Sequence, residues 1–284
     1  MRRVLSSGLM AVFAGGLCSA ISAQAPDAGQ VLAAAREALG GDKKLSAVKT
    51  FVATGRTRQL RGNNLVPSEF EITCELPDKF VRHDEIPAQD TDPTTVGFKG
   101  DELIQAASPP AGRGGPGMEA GRGGRGGPGG RGGGPPRIVA VKQDFVRLML
   151  GMFATSVPSY PVTFKYAAQG EAPEGKADIL DVAGPDNFSA RFVVQRETHL
   201  PVMLMWQTPA ANPGMRGSGQ PAAAPGASTT TENRIYYGDF REVDGLKLPF
   251  RIRRAVGGET IEETTFDQIR INAKIDPRKF EAPK

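Results

Sequence analysis

The sequence predicts an α+β fold: one large antiparallel meander of about ten or eleven strands carrying a few helices. Three observations lead to it. Between residues 162 and 271, short segments of two-residue apolar alternation follow one another, separated by turns and one low-complexity tract. Residues 138–155, IVAVKQDFVRLMLGMFAT, break that rhythm and take up helical spacing instead. Finally, there is no βαβ alternation, and no glycine-rich loop follows a strand to open a helix, which excludes a nucleotide-binding α/β architecture.

The chain opens MRRVLSSGLMAVFAGGLCSAISAQAP, with two arginines, an apolar run and then small residues. That order is a secretory signal, and the apolar run is shorter than the roughly 20 residues needed to span a bilayer. We read residues 1–23 as a signal peptide cut within 22–25, and residues 24–284 as one domain. Cys18 follows Leu17, where a lipid-modified cysteine needs a small neighbour. Export leaves Cys74 alone, so the mature fold must hold together by burial and backbone hydrogen bonding.

Residues 28–39, AGQVLAAAREAL, predict the first helix, capped by Asp27 and closed by Gly40-Gly41. Strands follow at 51–60 and 68–76, joined by a loop containing Arg61-Gly62-Asn63-Asn64. In the second, Phe70, Ile72, Cys74 and Leu76 point one way and Glu69, Glu71, Thr73 and Glu75 the other, as in a half-buried strand. Cys74 is thus a small buried hydrophobe. Residues 79–86 and 95–106 read as the next two strands.

Residues 112–134, GRGGPGMEAGRGGRGGPGGRGGG, hold 14 glycines in 23 positions. Such a tract cannot repay its ordering entropy, and the sequence predicts a disordered insertion at about 108–137. The helix at 138–155 then places Val141, Phe145, Leu148, Met149 and Met152 on one side with few charges elsewhere, so a concave body should receive it. Strands are expected at 162–170, 176–184, 188–197 and 200–208, then a second disordered insertion at about 208–232, then strands at 234–243, 246–256 and 259–271. Asp244-Gly245 and Gly257-Gly258 are two-residue hairpin signals. LPVMLMW, residues 200–206, is apolar on both faces, with Val202, Leu204 and Trp206 opposite Met203 and Met205. Periodicity leaves open whether such surfaces fill a core or line a cavity.

The formal charge of +4 divides unevenly. Arg2 and Arg3 leave with the signal, and residues 110–137 carry five arginines against Glu119, so the remaining body is net −2. An acidic body with one basic tract, lacking aromatic residues to stack on bases, speaks against nucleic-acid binding. Weak adhesion of the tract to an anionic surface is the alternative to a passive loop. His83 reads as a surface histidine beside Asp84 and Glu85, and His199 lies in a turn. No metal-ligand spacing, paired cysteines or GxSxG elbow occurs, and the neighbours Glu262 and Glu263 point to opposite faces of a strand. No cofactor, metal or catalytic group is expected.

The segment YYGDFREVDGLKLPFRIRRAVGGETIEETTFDQIRINAKIDPRKFEAP (236–283), preceded by ADILDVAGPDNFSARFVVQRETHLPVMLMW (177–206), resembles the LolA-like superfamily of outer-membrane lipoprotein-sorting proteins. The matching features are a turn before Leu-Pro and an apolar strand, then DGLKLPFRI, a short hairpin, a strand ending Ile-Arg-Ile-Asn, and Ile-Asp-Pro before Phe280. The resemblance spans 28–105 and 138–283. It implies a strongly curved antiparallel sheet forming an incomplete β-barrel with helices covering the concave face. It further implies a periplasmic, non-catalytic protein that binds or carries lipid or lipoprotein acyl chains. Peripheral contact with a membrane fits the same scaffold. The alternative it offers is a sensor or interaction domain bound to an envelope protein. On this pattern the lid residues are Phe145, Leu148, Met149 and Met152, and the wall residues are Phe70, Ile72, Leu204 and Trp206. Met203 and Met205 could face inward instead of Leu204 and Trp206, and the family's lid-locking arginine could be Arg56, Arg58 or Arg191.

Deleting residues 111–136 is expected to leave the thermal unfolding midpoint within about 3 °C, the shift of less than 1 kcal/mol that loop shortening produces. A larger fall, measured by circular dichroism, would show that the tract contributes to the fold.

Overall fold

The computed structural model describes residues 27–62, 64–87, 93–105, 136–209 and 230–282. The signal, Cys18 and most of both low-complexity tracts lie outside the described residues. Helix α1 (Ala28–Ala38) starts at a capping box in which Asp27 accepts from the Gln30 amide and Gln30 accepts from the Asp27 amide. A short helix that the sequence reading had missed, α2 (Asp42–Ser46), follows and buries Leu45.

Five strands come next: β1 (Thr50–Arg61), β2 (Asn64–Glu75), β3 (Lys79–Glu85), β4 (Thr94–Lys99) and β5 (Glu102–Gln105). After them come α3 (Arg137–Phe153) and seven more strands: β6 (Thr163–Ala172), β7 (Gly175–Ala183), β8 (Ser189–Gln195), β9 (Pro201–Pro209), β10 (Thr230–Val243), β11 (Leu246–Val256) and β12 (Glu259–Ile271). A 3-10 turn at Pro277–Phe280 buries Phe280 against Val81 and Ile104.

All twelve strands form one antiparallel sheet in the order β5-β4-β3-β2-β1-β12-β11-β10-β9-β8-β7-β6. Two meanders are thus joined where β1 pairs with β12. The edge strands β5 and β6 are successive in the chain, with α3 between them. Helix α3 touches β4 and β5 near one edge and β9 and β11 in the other half. In a flat sheet β4 and β9 would lie about 33 Å apart, at roughly 4.8 Å per strand. A 17-residue helix is only about 25 Å long. The sheet is therefore bent between these strands, giving an open, incomplete barrel.

The strand count exceeds the expected ten or eleven because 95–106 is a hairpin, not one strand. Gly100 and Asp101 turn it between paired Lys99 and Glu102, and Gly100 has φ 57°. The insertions are also shorter than expected: Arg137 is already helical, and Thr230 and Thr231 pair with Pro209 and Thr208. Helix α3 ends earlier than expected, at Ala154 in the left-handed region. Likewise β2 starts at Asn64, so the hairpin with β1 turns through Gly62 (φ 62°).

The core lies on the face that receives α3. Phe145 packs between Phe80 and Phe98, with ring centroids 5.3 and 5.2 Å away, and Phe153 meets Phe51 edge-on. Cys74 is fully buried in this core, as its alternation predicts. Leu204 and Trp206 face the same core, whereas Met203 and Met205 belong to a small cluster on the other face with Ala177 and Val193. Val202 departs from its expected side and joins that outer cluster. Opposite it the register slips, so that Val194 faces Pro201 while Val193 faces Met203.

Gly151 lets α3 approach β10. A Cβ built there would lie 2.1 Å from the Tyr237 ring, and the Tyr237 hydroxyl donates to the Arg147 carbonyl at 2.7 Å. In an exposed helix Gly→Ala stabilises by about 1 kcal/mol, but overpacking a filled core costs about 1–3 kcal/mol. Gly151→Ala should therefore destabilise by up to about 2 kcal/mol in urea unfolding. A raised midpoint would mean that Tyr237 moves aside freely.

Candidate functional site

An open cavity of about 350 Å³ lies along one side of α3 from Arg137 to Leu148, bordered by β2, β3, β4, β10, β11 and β12. Its apolar wall comes from Ile72, Phe80, Val96, Val141, Leu148, Ile235, Ile252 and Phe266, with Tyr237 at the same surface. Arg82, Arg137, Asp144, Arg147, Arg254, Glu262 and Thr264 supply the polar part. The strands place these groups by simple alternation. On β12, Glu262, Thr264 and Phe266 are buried on one side, while Glu263 pairs with Arg251 on the other.

The eight residues singled out from the sequence do not all meet here. Ile72 and Leu148 line the cavity. Phe145, Met149, Met152 and Leu204 are packed to 1% exposure or less in the adjoining core. Phe70 stands behind the wall, edge-on to Phe266 at 5.5 Å and under the Arg82 guanidinium at 4.8 Å. Trp206 is buried beneath Arg147, whose guanidinium lies 4.2 Å from its ring centroid.

The polar groups are held in two small networks. Arg82 grips Asp84 through Nε and Nη2 at 2.7–3.0 Å and donates to Thr57, which bonds Thr264 at 3.0 Å; Gln59 donates to Glu262 at 2.8 Å. Burial works against the Arg82 charge, but Asp84 outweighs it and holds the guanidinium above its ordinary pKa. On the helix, Arg147 donates to Asp144 at 2.8 Å and, more weakly, to Gln143 at 3.5 Å. Here burial wins and pulls Arg147 below its ordinary value, with Asp144 only partly compensating. Its Nε is buried without a hydrogen-bond partner among the described residues. The rings of Trp206 and Phe188, at 4.2 and 5.3 Å, take the place of solvent over this cation.

None of the three arginines considered as a lid lock bonds α3 among the described residues. Arg56 pairs with Asp267, Arg191 pairs with Asp181, and Arg58 is exposed. From the sheet, Arg82 shares the cavity with α3, as Arg254 does. Sequence reasoning missed it, together with Arg147, Arg254, Glu262 and the wall residues of β10 and β11. The signal available was a charged residue at an inward position of an alternating strand, as in the inward Glu262 and Thr264 ahead of Phe266.

His83 differs from expectation. It is half-buried, with Nδ1 2.7 Å from the Thr95 hydroxyl, and not a free surface histidine. His199 is exposed in its turn at φ 58°. Among the described residues no cluster of His, Cys, Asp and Glu could hold a metal ion.

No family model and no curated protein matches the sequence. Among solved structures the chain is similar to a LolA superfamily protein from Nitrosomonas europaea, at TM-score 0.52 and 12% identity over 90% of this chain and 98% of that one. Weaker similarity is found to a domain assigned to the outer membrane lipoprotein-sorting proteins from Vibrio parahaemolyticus (TM-score 0.47, 7% identity, 88% of this chain and 95% of that one). A DUF1329 family protein from Desulfovibrio piger gives TM-score 0.45 at 7% identity, again over 88% and 95% of the two chains. The architecture is that of an open antiparallel barrel with a helix packed on its sheet. More particularly, the chain has a LolA-like fold.

Burial, then the charge of Lys279, lowers the His83 pKa from 6.5 despite Glu71 and Asp84. With the folded value below the unfolded one, the contribution of neutral His83 is complete above about pH 6.5 and is lost as pH falls through the folded value. His83→Gln should therefore lose less stability than the parent between about pH 7 and pH 5, in paired urea titrations. Equal losses would show that His83 is not held neutral.

Proposed function

We propose that the mature chain is an exported, non-catalytic protein of the cell envelope that holds one hydrophobic chain between α3 and the bent sheet. The observation that carries this reading is the cavity of about 350 Å³ with an apolar wall. Its volume falls near the lower end of the roughly 300–1,000 Å³ typical of small-ligand pockets. In this reading α3 covers the concave face. It is fastened by the Tyr237 hydroxyl on the Arg147 carbonyl and by Lys142 on Asp101 at 2.6 Å. Phe145, Met149, Met152 and Leu204 form the packed floor, and Ile72 and Leu148 touch the ligand.

The signal at residues 1–23 supports an envelope location. The LolA-like fold supports a lipid or lipoprotein acyl chain as the occupant, as the resemblance implies. The tract at about 108–137 precedes α3 in the chain and is a passive insertion in this reading.

The purified mature protein should bind a fluorescent acyl probe saturably, and organic extracts should yield co-purified lipid by mass spectrometry. Leu148→Glu puts a carboxylate on the apolar wall and should weaken the probe by roughly tenfold or more. Leu148 is only partly buried, so this variant keeps its core, which Met149→Glu would not. Absence of saturable uptake, or full uptake by Leu148→Glu, would overturn the reading.

A further inference from the structure

The polar end of the cavity is built for a negative charge. Arg137 and Ala140 of the first turn of α3 line it, and among the described residues no side chain caps that helix end: the preceding residue is Pro136, and the first turn holds no acidic residue. The free amide groups and the positive end of the helix dipole therefore face the cavity mouth. The side chain of Arg254 from β11, half-buried in the same lining, makes no hydrogen bond or ion pair among the described residues, nor does that of the exposed Arg137. Deeper in, Arg147 is 8% exposed and its Nε has no partner among the described residues.

Carboxylates are present but mostly engaged. Asp84 is taken by Arg82 and Asp144 by Arg147, while Glu262, opposite Arg254 in the β11–β12 ladder, accepts from Gln59. Four arginines thus meet three acidic groups around an uncapped helix end. Guanidinium donors without acceptors at the rim of an apolar space call for a ligand that brings its own anionic oxygens.

We propose that the ligand is a single-chain amphiphile with an anionic head, a carboxylate or phosphate. The head sits between the N-terminus of α3 and Arg254, and the chain runs along Val141, Leu148, Ile235 and Ile252. This rests on the hydrophobic-chain reading above and adds the charge of the head and the number of chains. The volume of about 350 Å³ accommodates one chain and not a bundle of several.

The test is calorimetric titration of the purified mature protein with dodecanoate, dodecyl phosphate and dodecyl glucoside, each below its micelle concentration. At least one anionic amphiphile should bind about tenfold or more tightly than the glucoside, and whichever does so identifies the head. Arg254→Gln and, separately, Arg137→Gln should shrink that preference to about threefold or less, with folding checked by circular dichroism. The preference should also weaken as salt is raised. Equal affinity for the anionic and neutral amphiphiles, or an undiminished preference in Arg254→Gln, would overturn the anionic-head inference while leaving a hydrophobic ligand in place. Failure of all three to bind would overturn both.

Discussion

The bend of the sheet and the packing of α3 depend on each other, and the rest of the molecule depends on both. Among the described residues, twelve strands with two unpaired edges present a broad apolar face that has no second sheet to meet. Phe145, Met149, Leu150 and Met152 fill the space in front of that face, and each large side chain so buried contributes about 1.5–3 kcal/mol. The contact also goes with the curvature, because β4 and β9 can reach the same helix only if the strands between them bend.

The same helix divides the interior into a dry part and a polar part. One side of it is packed, through Phe145 on the phenylalanines of β3 and β4, through Phe153 on Phe51, and through the Arg147 carbonyl on Tyr237. The side that carries Arg137, Asp144 and Arg147 lies beside strands whose inward positions include Arg82, Arg254, Glu262 and Thr264. Inward charges are costly unless paired, and here pairing is incomplete. The Arg147 guanidinium is kept by one carboxylate and by the faces of two aromatic rings, a combination worth about 2 kcal/mol or more for the ring contact when desolvated. Such an arrangement weakens the fold locally.

Much of the architecture was legible in the amino-acid order. Alternation in β2 placed Phe70, Ile72 and Cys74 on one side, and the helical spacing of 138–155 marked α3 within a residue or two at either end. What escaped depended on local turns and on tertiary geometry. Gly100 and Asp101 hid a hairpin inside an apparent strand, and one slipped residue beside Val202 moved it to the outer face. The candidate site was less legible. Of the eight residues named, two line the cavity, because amphipathic spacing identifies what is apolar and not what is left unfilled. Arg82 and Arg254 sit at inward positions that a hydrophobic template discards, and only the curvature of the sheet brings them to α3.

The pairing of β1 with β12 has a consequence for how the molecule is made. The strand that completes the sheet is among the last to be synthesised, about two hundred residues after its partner. Until it arrives, β1 offers a naked row of amides and carbonyls twelve residues long, a template for any passing chain. Closure across so great a contour length is slow. The nascent chain therefore needs protection from its own kind, and it remains vulnerable to mispairing and to proteases until its far end has emerged.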